Sequence, residues 1–153
     1  MQSTPFDIVF CDTCVCGSTV ASHLAKARTG LRALFLADYA VNPLGIKSHG
    51  EVSEALNRWV DAAVGRAPIL IVACNTASVR LQDAPEVVER AEHLGVRLYS
   101  MVDLLDALIR AESHRLKNER VCLMGTEYTV SSSFYRDRMK KAGVSVVVPL
   151  AAT

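Results

Sequence analysis

The sequence predicts an α/β fold, a parallel sheet flanked by helices, organised as a first lobe and the start of a second similar lobe. Three observations predict it. Apolar strand segments alternate with amphipathic helical segments along the chain. Ile69-Leu70-Ile71-Val72 is continuously apolar, three of its four residues β-branched, as a parallel strand covered on both faces requires. That strand then breaks into Cys74-Asn75-Thr76 ahead of small residues that open a helix, and the carboxyl ends of strands are where open α/β sheets bind ligands.

The elements follow in order. Phe6 to Phe10 reads as the first strand, Thr19 to Arg28 as a helix and Leu34 to Ala37 as the second strand. Ser48 and Glu51 have capping-box spacing, in which hydroxyl and carboxylate satisfy backbone donors reciprocally. Behind them Val52, Leu56, Trp59, Val60 and Ala63 share one helical face. After the strand ending at Cys74, Asp83, Pro85 and Glu86 predict a helix start: a cap, an early proline and an early carboxylate. Val96 to Tyr99 is a strand, and Met101, Leu104, Leu105, Leu108 and Ile109 form a helical stripe. Ser113 to Arg120 reads as a surface loop or hinge. Val121 to Met124 is a strand that breaks at Gly125-Thr126, Ser132 to Lys141 is helical, and Gly143 ends that helix. Val146 to Leu150 looks like a core strand followed by only three residues, so a missing C-terminal half is expected. The reading divides the chain into 1–99, a first lobe carrying the Cys74 site, and 100–153, the beginning of a second.

Composition narrows the function classes. The 153 residues are 50% hydrophobic and 22% charged, which favours a packed core over disorder. A net charge of +1, with Lys and Arg scattered, leaves no electrostatic footprint for nucleic acid. No apolar run reaches the roughly 20 residues of a membrane span, and the first five residues lack secretory-signal character. Five cysteines in a chain this apolar point to reduced thiols and a cytoplasmic location. Neither Walker spacing nor a G-x-G-x-x-G fingerprint is present.

Polar residues cluster where strands end: Cys11-Asp12-Thr13-Cys14-Val15-Cys16-Gly17, Cys74-Asn75-Thr76 and Gly125-Thr126-Glu127-Tyr128-Thr129. With the loop 38–48, these segments are expected to line one crevice, where the helix start beside Cys74 suits a small carboxylic acid. A thiol beside a helix start is expected to have a lowered pKa, which suits nucleophilic or acid/base work.

These segments resemble the cofactor-independent aspartate/glutamate racemase superfamily, and glutamate racemase most. The family's F-D-S-G-V-G-G-L-T-V loop is matched by Cys11 to Val20 following Phe10, and its P-Y-G-x-K-S loop by Pro43 to Ser48. A-C-N-T-A is intact at Ala73 to Ala77. G-T-x-x-T with a downstream S-x-x-Y-like segment is matched by Gly125 to Thr129 and Ser132 to Tyr135. The resemblance implies thiol acid/base chemistry at an amino acid's α-carbon, without cofactor or metal. It implies that Cys74 removes the α-proton with Asp12 assisting, and that Thr13, Leu44, Gly45, Asn75, Thr76, Thr126 and Thr129 hold the substrate. A homo-oligomer is the expected assembly if no further half exists.

The sequence also departs from the family. A G-C-T-H-Y-P-like second-thiol motif does not occur in it, Leu44 replaces a tyrosine, and Cys14 and Cys16 replace loop glycines, a strained exchange if φ is positive there. Other readings therefore stand beside the first. Cys74 is alternatively a structural thiol, and Asp12 a helix cap or an acceptor for loop amides. Thr126 and Thr129 are alternatively caps. Cys11, Cys14 and Cys16 are metal ligands or, by default, reduced fillers. The activity is alternatively a one-thiol decarboxylation or maleate-type isomerisation, or the chain is a binding module or fragment.

Overall fold

In a computed structural model, which describes residues 4–149, the chain alternates strands and helices from end to end. The elements are β1 (Ile8–Asp12), α1 (Ser18–Ala27), β2 (Ala33–Ala37), α2 (His49–Ala63), β3 (Ile69–Val72), α3 (Asn75–Arg80), α4 (Pro85–His93), β4 (Arg97–Ser100), α5 (Met101–Ala111), α6 (Ser113–Leu116), β5 (Arg120–Cys122), α7 (Glu127–Ser131), α8 (Phe134–Lys141) and β6 (Ser145–Val147). Strands β2-β1-β3-β4 form one sheet in that order, and β5-β6 form a second. Every pairing is parallel.

Strand β1 is buried at all five positions because it is central and covered on both sides. Its side chains alternate. Val9 and Cys11 join Leu70 and Val72 in a core completed by Val52, Leu56, Trp59 and Val60 of α2 and Val87 and Ala91 of α4. Ile8 and Phe10 turn the other way, onto Ala21 and Leu24 of α1. A third cluster joins Val79 of α3 and Val102 of α5 to Tyr135 and Phe134 of α8 and to Tyr128 of α7. It fastens the second sheet's helices to the first sheet's layer.

The topology fixes where a site can lie. From β1 the chain crosses to β2 on one side and then to β3 on the other, so strand order reverses between β1 and β3. Cys11 and Val72 are register partners, and the Ala73 N–H donates to the Cys11 carbonyl at 2.8 Å. The loops after Asp12 and after Ala73 therefore leave the sheet side by side, at its carboxyl edge and its switch point.

Local chemistry explains most boundaries. The Ser48–Glu51 capping box is present, and Ser100 with Asp103 forms a second one at the start of α5. Gly143 takes a positive φ of 78° after α8, as expected of a helix-ending glycine. Several expectations need correction. Asp83 does not cap α4: it lies in a 3-10 turn, Ala84 holds the cap position without a side-chain bond, and Pro85 supplies the start. The stretch 113–120 is not all loop, since α6 occupies its first four residues. The first strand begins two residues later than expected and runs through Asp12. Of the last strand, Ser145–Val147 pairs with β5, and Leu150 lies outside the described residues. Among the described residues no helix is long and apolar enough to cross a membrane.

Candidate functional site

A cleft of about 920 Å³ opens at the carboxyl edge of the first sheet, facing α7 and α8 of the second. The loops after β1, β3 and β5 and the 42–46 turn line it. All nine residues that the sequence singles out border this one space: Asp12, Thr13, Leu44, Gly45, Cys74, Asn75, Thr76, Thr126 and Thr129.

Cys74 sits at the junction of β3 and α3, half-buried, with extended backbone. Its sulfur caps α3 by accepting from the Ala77 N–H at 3.4 Å, and it lies 3.8 Å from the Thr13 hydroxyl. Burial raises the Cys74 pKa above the ordinary thiol value, and the Asp12 charge adds to the rise. The bonds from Ala77 and Thr13 pull the other way without overcoming it. The expected lowering by the helix start is thus corrected: in this cleft Cys74 is a neutral thiol at neutral pH.

Asp12 ends β1 and is 2% exposed. Its Oδ2 accepts the Gly17 N–H at 2.6 Å, and its Oδ1 accepts the Cys14 N–H at 3.3 Å and the Thr13 hydroxyl at 3.4 Å. The carboxylate therefore orders its own loop, as the loop-amide reading has it, while standing beside the Cys74 thiol. Gly17 makes this possible. A Cβ there would lie 2.7 Å from Asp12 Oδ2 and 2.8 Å from the Ala73 Cβ, so only a glycine lets the loop close over the carboxylate.

Thr76, Thr126 and Thr129 form a triangle of hydroxyls with sides of 2.9, 3.1 and 3.0 Å. Thr126 also caps α7 by accepting the Thr129 N–H. Capping and site placement thus coincide, and the triangle ties α3 to α7. Gly45 packs beneath Tyr128, whose Cβ would stand 2.9 Å from a side chain at that position. Leu44 borders the cleft but is only 2% exposed and belongs to the main core, so its side chain acts chiefly as a wall.

The three crowded cysteines part company. Cys11 is fully buried, and desolvation pushes its pKa up to about 12, which makes it inert filler. Cys14 is half-buried, with its sulfur 3.9 Å from Asp12 Oδ1, and Cys16 is exposed, so the filler expectation fails for both. Neither has a positive φ, since Asn118 is the only non-glycine residue that does among the described residues. Their replacement of loop glycines therefore carries no backbone strain. Among the described residues, no group of three or more His, Cys, Asp or Glu is arranged to hold a metal.

Two neighbours of the site receive no role from the sequence, although Tyr135 falls in its S-x-x-Y-like segment. Ser78, fully buried, donates to the Cys74 carbonyl at 2.7 Å or the Val72 carbonyl at 3.1 Å and accepts the Met101 N–H at 3.0 Å. Tyr135 of α8 donates its phenolic hydrogen to Asn75 Oδ1 at 2.8 Å. Ser78 reaches Met101 over 23 residues and Tyr135 reaches Asn75 over 60, separations that local spacing does not encode.

No protein-family model matches the chain. Its sequence is 28% identical over 134 residues to a glutamate racemase of Aquifex aeolicus, spanning 85% of this chain and 48% of that protein. It is 29% identical over 143 residues to one from Beutenbergia cavernae, spanning 93% and 47%. Among solved structures, glutamate racemase from Campylobacter jejuni superposes with a TM-score of 0.71 at 26% identity, covering 93% of this chain and 56% of that one. The Aquifex pyrophilus enzyme gives 0.68 at 26%, covering 95% and 56%. An aspartate racemase homologue from Pyrococcus horikoshii shares the fold at 18% identity, with a TM-score of 0.59. The chain thus spans about half the length of the curated relatives it matches. The resemblance to glutamate racemases holds in sequence and in fold, and that to the aspartate racemase homologue in fold.

Proposed function

We propose that this cleft carries cofactor-independent racemase-like chemistry on an α-amino acid with an acidic side chain, with Cys74 as the acid/base thiol and Asp12 as its partner. The observation that carries the proposal is the meeting of Cys74, Thr13 and Asp12 at the switch point of a racemase-like sheet. That the similar proteins are glutamate racemases supports the choice of substrate.

The chemistry follows from the site. An α-proton is a very weak acid, so its removal needs a base held against it and donors that stabilise the charge left on carbon. Cys74 is neutral in the open cleft. A substrate ammonium brought beside it favours the thiolate, and the thiol proton passes to the Asp12 carboxylate. The thiolate then takes the α-proton and the C–H electron pair stays with the substrate; an acid on the opposite face, contributed by the further protein that completes the cleft, gives its proton to that carbon and inverts the centre. Thr13, Asn75 and the threonine triangle surround the place where carboxylate and amine would sit.

The reading treats residues 1–99 and 100–153 as parts of two lobes, which the division of the strands into two sheets supports. It takes the protein as cytoplasmic, in keeping with five free cysteines. It also completes the cleft with further protein, from a second copy or from additional chain. Ile46 and Met124, 81% and 77% exposed at the cleft, support that completion.

A one-thiol reaction on a dicarboxylic acid is the second reading. It is favoured by the way Cys14 and Cys74 gather around the same carboxylate. Circular dichroism of L-glutamate and L-aspartate solutions separates the two. The first reading predicts decay of the amino-acid signal with time. An unchanged signal, with consumption of a malonate- or maleate-type diacid, favours the second.

A further inference from the structure

We propose that Tyr135 is a positioning residue that locks the Asn75 carboxamide with its NH2 group toward the cleft, as a neutral double donor for the substrate's carboxylate. This inference rests on the amino-acid reading above and adds to it a residue and a recognition mode.

A carboxamide has an accepting end and a donating end, and rotation by half a turn exchanges them. Tyr135 removes that freedom. Its side chain is 5% exposed and is clamped by Val79 of α3 and Val102 of α5. Among the described residues, Asn75 Oδ1, at 2.8 Å, is the one side-chain partner of its hydroxyl. A buried O–H must find an acceptor, so the phenol holds Oδ1 and leaves both N–H groups of Asn75 unspent. Burial, with a smaller contribution from the Cys74 charge, pushes the Tyr135 pKa up to about 12, so the phenol keeps its proton at working pH.

The composition of the cleft makes those two N–H groups matter. No Lys, Arg or His is among the described residues that line it, while Asp12 and Glu127 are. A carboxylate entering there must be held by neutral donors. The other polar neighbours of Cys74 are already engaged. Thr13 bonds to Asp12, and Thr76 is in the hydroxyl triangle. Asn75 is exposed, lines the cleft and directly follows Cys74, so it offers its carboxamide in the same cleft as the thiol.

The test is a calorimetric titration of glutamate, and in parallel of aspartate, into the full chain with whatever partner completes the cleft, as wild type, Tyr135→Phe, Asn75→Ala and the double variant. Phenylalanine keeps the ring that packs and removes only the hydroxyl. We expect Tyr135→Phe to weaken binding about tenfold, the scale of one lost polar contact. Asn75→Ala weakens it at least as much, and the double variant binds like Asn75→Ala alone, because Tyr135 acts through Asn75. Wild-type affinity in Tyr135→Phe overturns the proposal. So does an equal loss in the Asn75→Ala background, which would mean that Tyr135 acts independently. Neither result touches the Cys74 reading. A wild type that binds neither glutamate nor aspartate overturns both. If Tyr135→Phe does not fold, the side-chain NH2 resonances of Asn75 in the wild type decide: they shift on glutamate addition, and resonances that stay put overturn the proposal.

Discussion

The Asp12 carboxylate is bound by its own loop before it can serve Cys74. Three donors, the Gly17 and Cys14 amides and the Thr13 hydroxyl, hold it in place. Its charge also opposes ionisation of the neighbouring thiol, after the larger effect of burial. A measurable consequence follows. Asp12→Asn removes the opposing charge, so the Cys74 pKa falls and its alkylation by iodoacetamide, followed by mass spectrometry of the Cys74 peptide, speeds up at fixed pH. Thiol–amino-acid chemistry slows in the same variant, because the proton acceptor is gone. Equal or slower alkylation of Cys74 would contradict this electrostatic account. Cys74, Asp12 and the threonines are visible in the sequence because each stands at a strand end within a short polar run. The thiol's protonation state is not, because burial is a property of the folded cleft.

At the scale of elements, α3 is the hinge of the arrangement. It is only six residues long, yet it carries Cys74 at its cap, Asn75 and Thr76 on the cleft and Val79 in the third core cluster. Ser78 holds it in register by bonding both to the end of β3 and to the start of α5. Ser78→Ala leaves the Met101 N–H without that acceptor, and a buried donor so orphaned costs about 1–3 kcal/mol. The denaturant midpoint of Ser78→Ala is expected to fall accordingly; an unchanged midpoint would mean that α3 is held by packing alone. Hydrophobic periodicity made α2 and α5 legible, along with the alternation of strands and helices. It missed α7, whose five residues are set by Thr126 capping Thr129 rather than by an apolar face. It also gave Asp83 a cap that Pro85 makes unnecessary.

Across the whole molecule, one sheet presents the thiol and a second, smaller sheet brings the threonine and tyrosine partners to it. The parallel alternation was legible because central strands such as β1 and β3 must be apolar on both faces. The contacts that join the two sheets lie far apart in sequence: Thr76 to Thr126 and Thr129, and Tyr135 to Asn75. The central claim, that the cleft activates an α-proton through Cys74, is tested most directly by proton NMR of glutamate in deuterated water. The wild-type chain, assayed with whatever partner completes the cleft, is expected to replace the α-hydrogen by deuterium, and Cys74→Ser to lose at least about a hundredfold of that rate. Exchange that proceeds equally fast in Cys74→Ser would contradict the account.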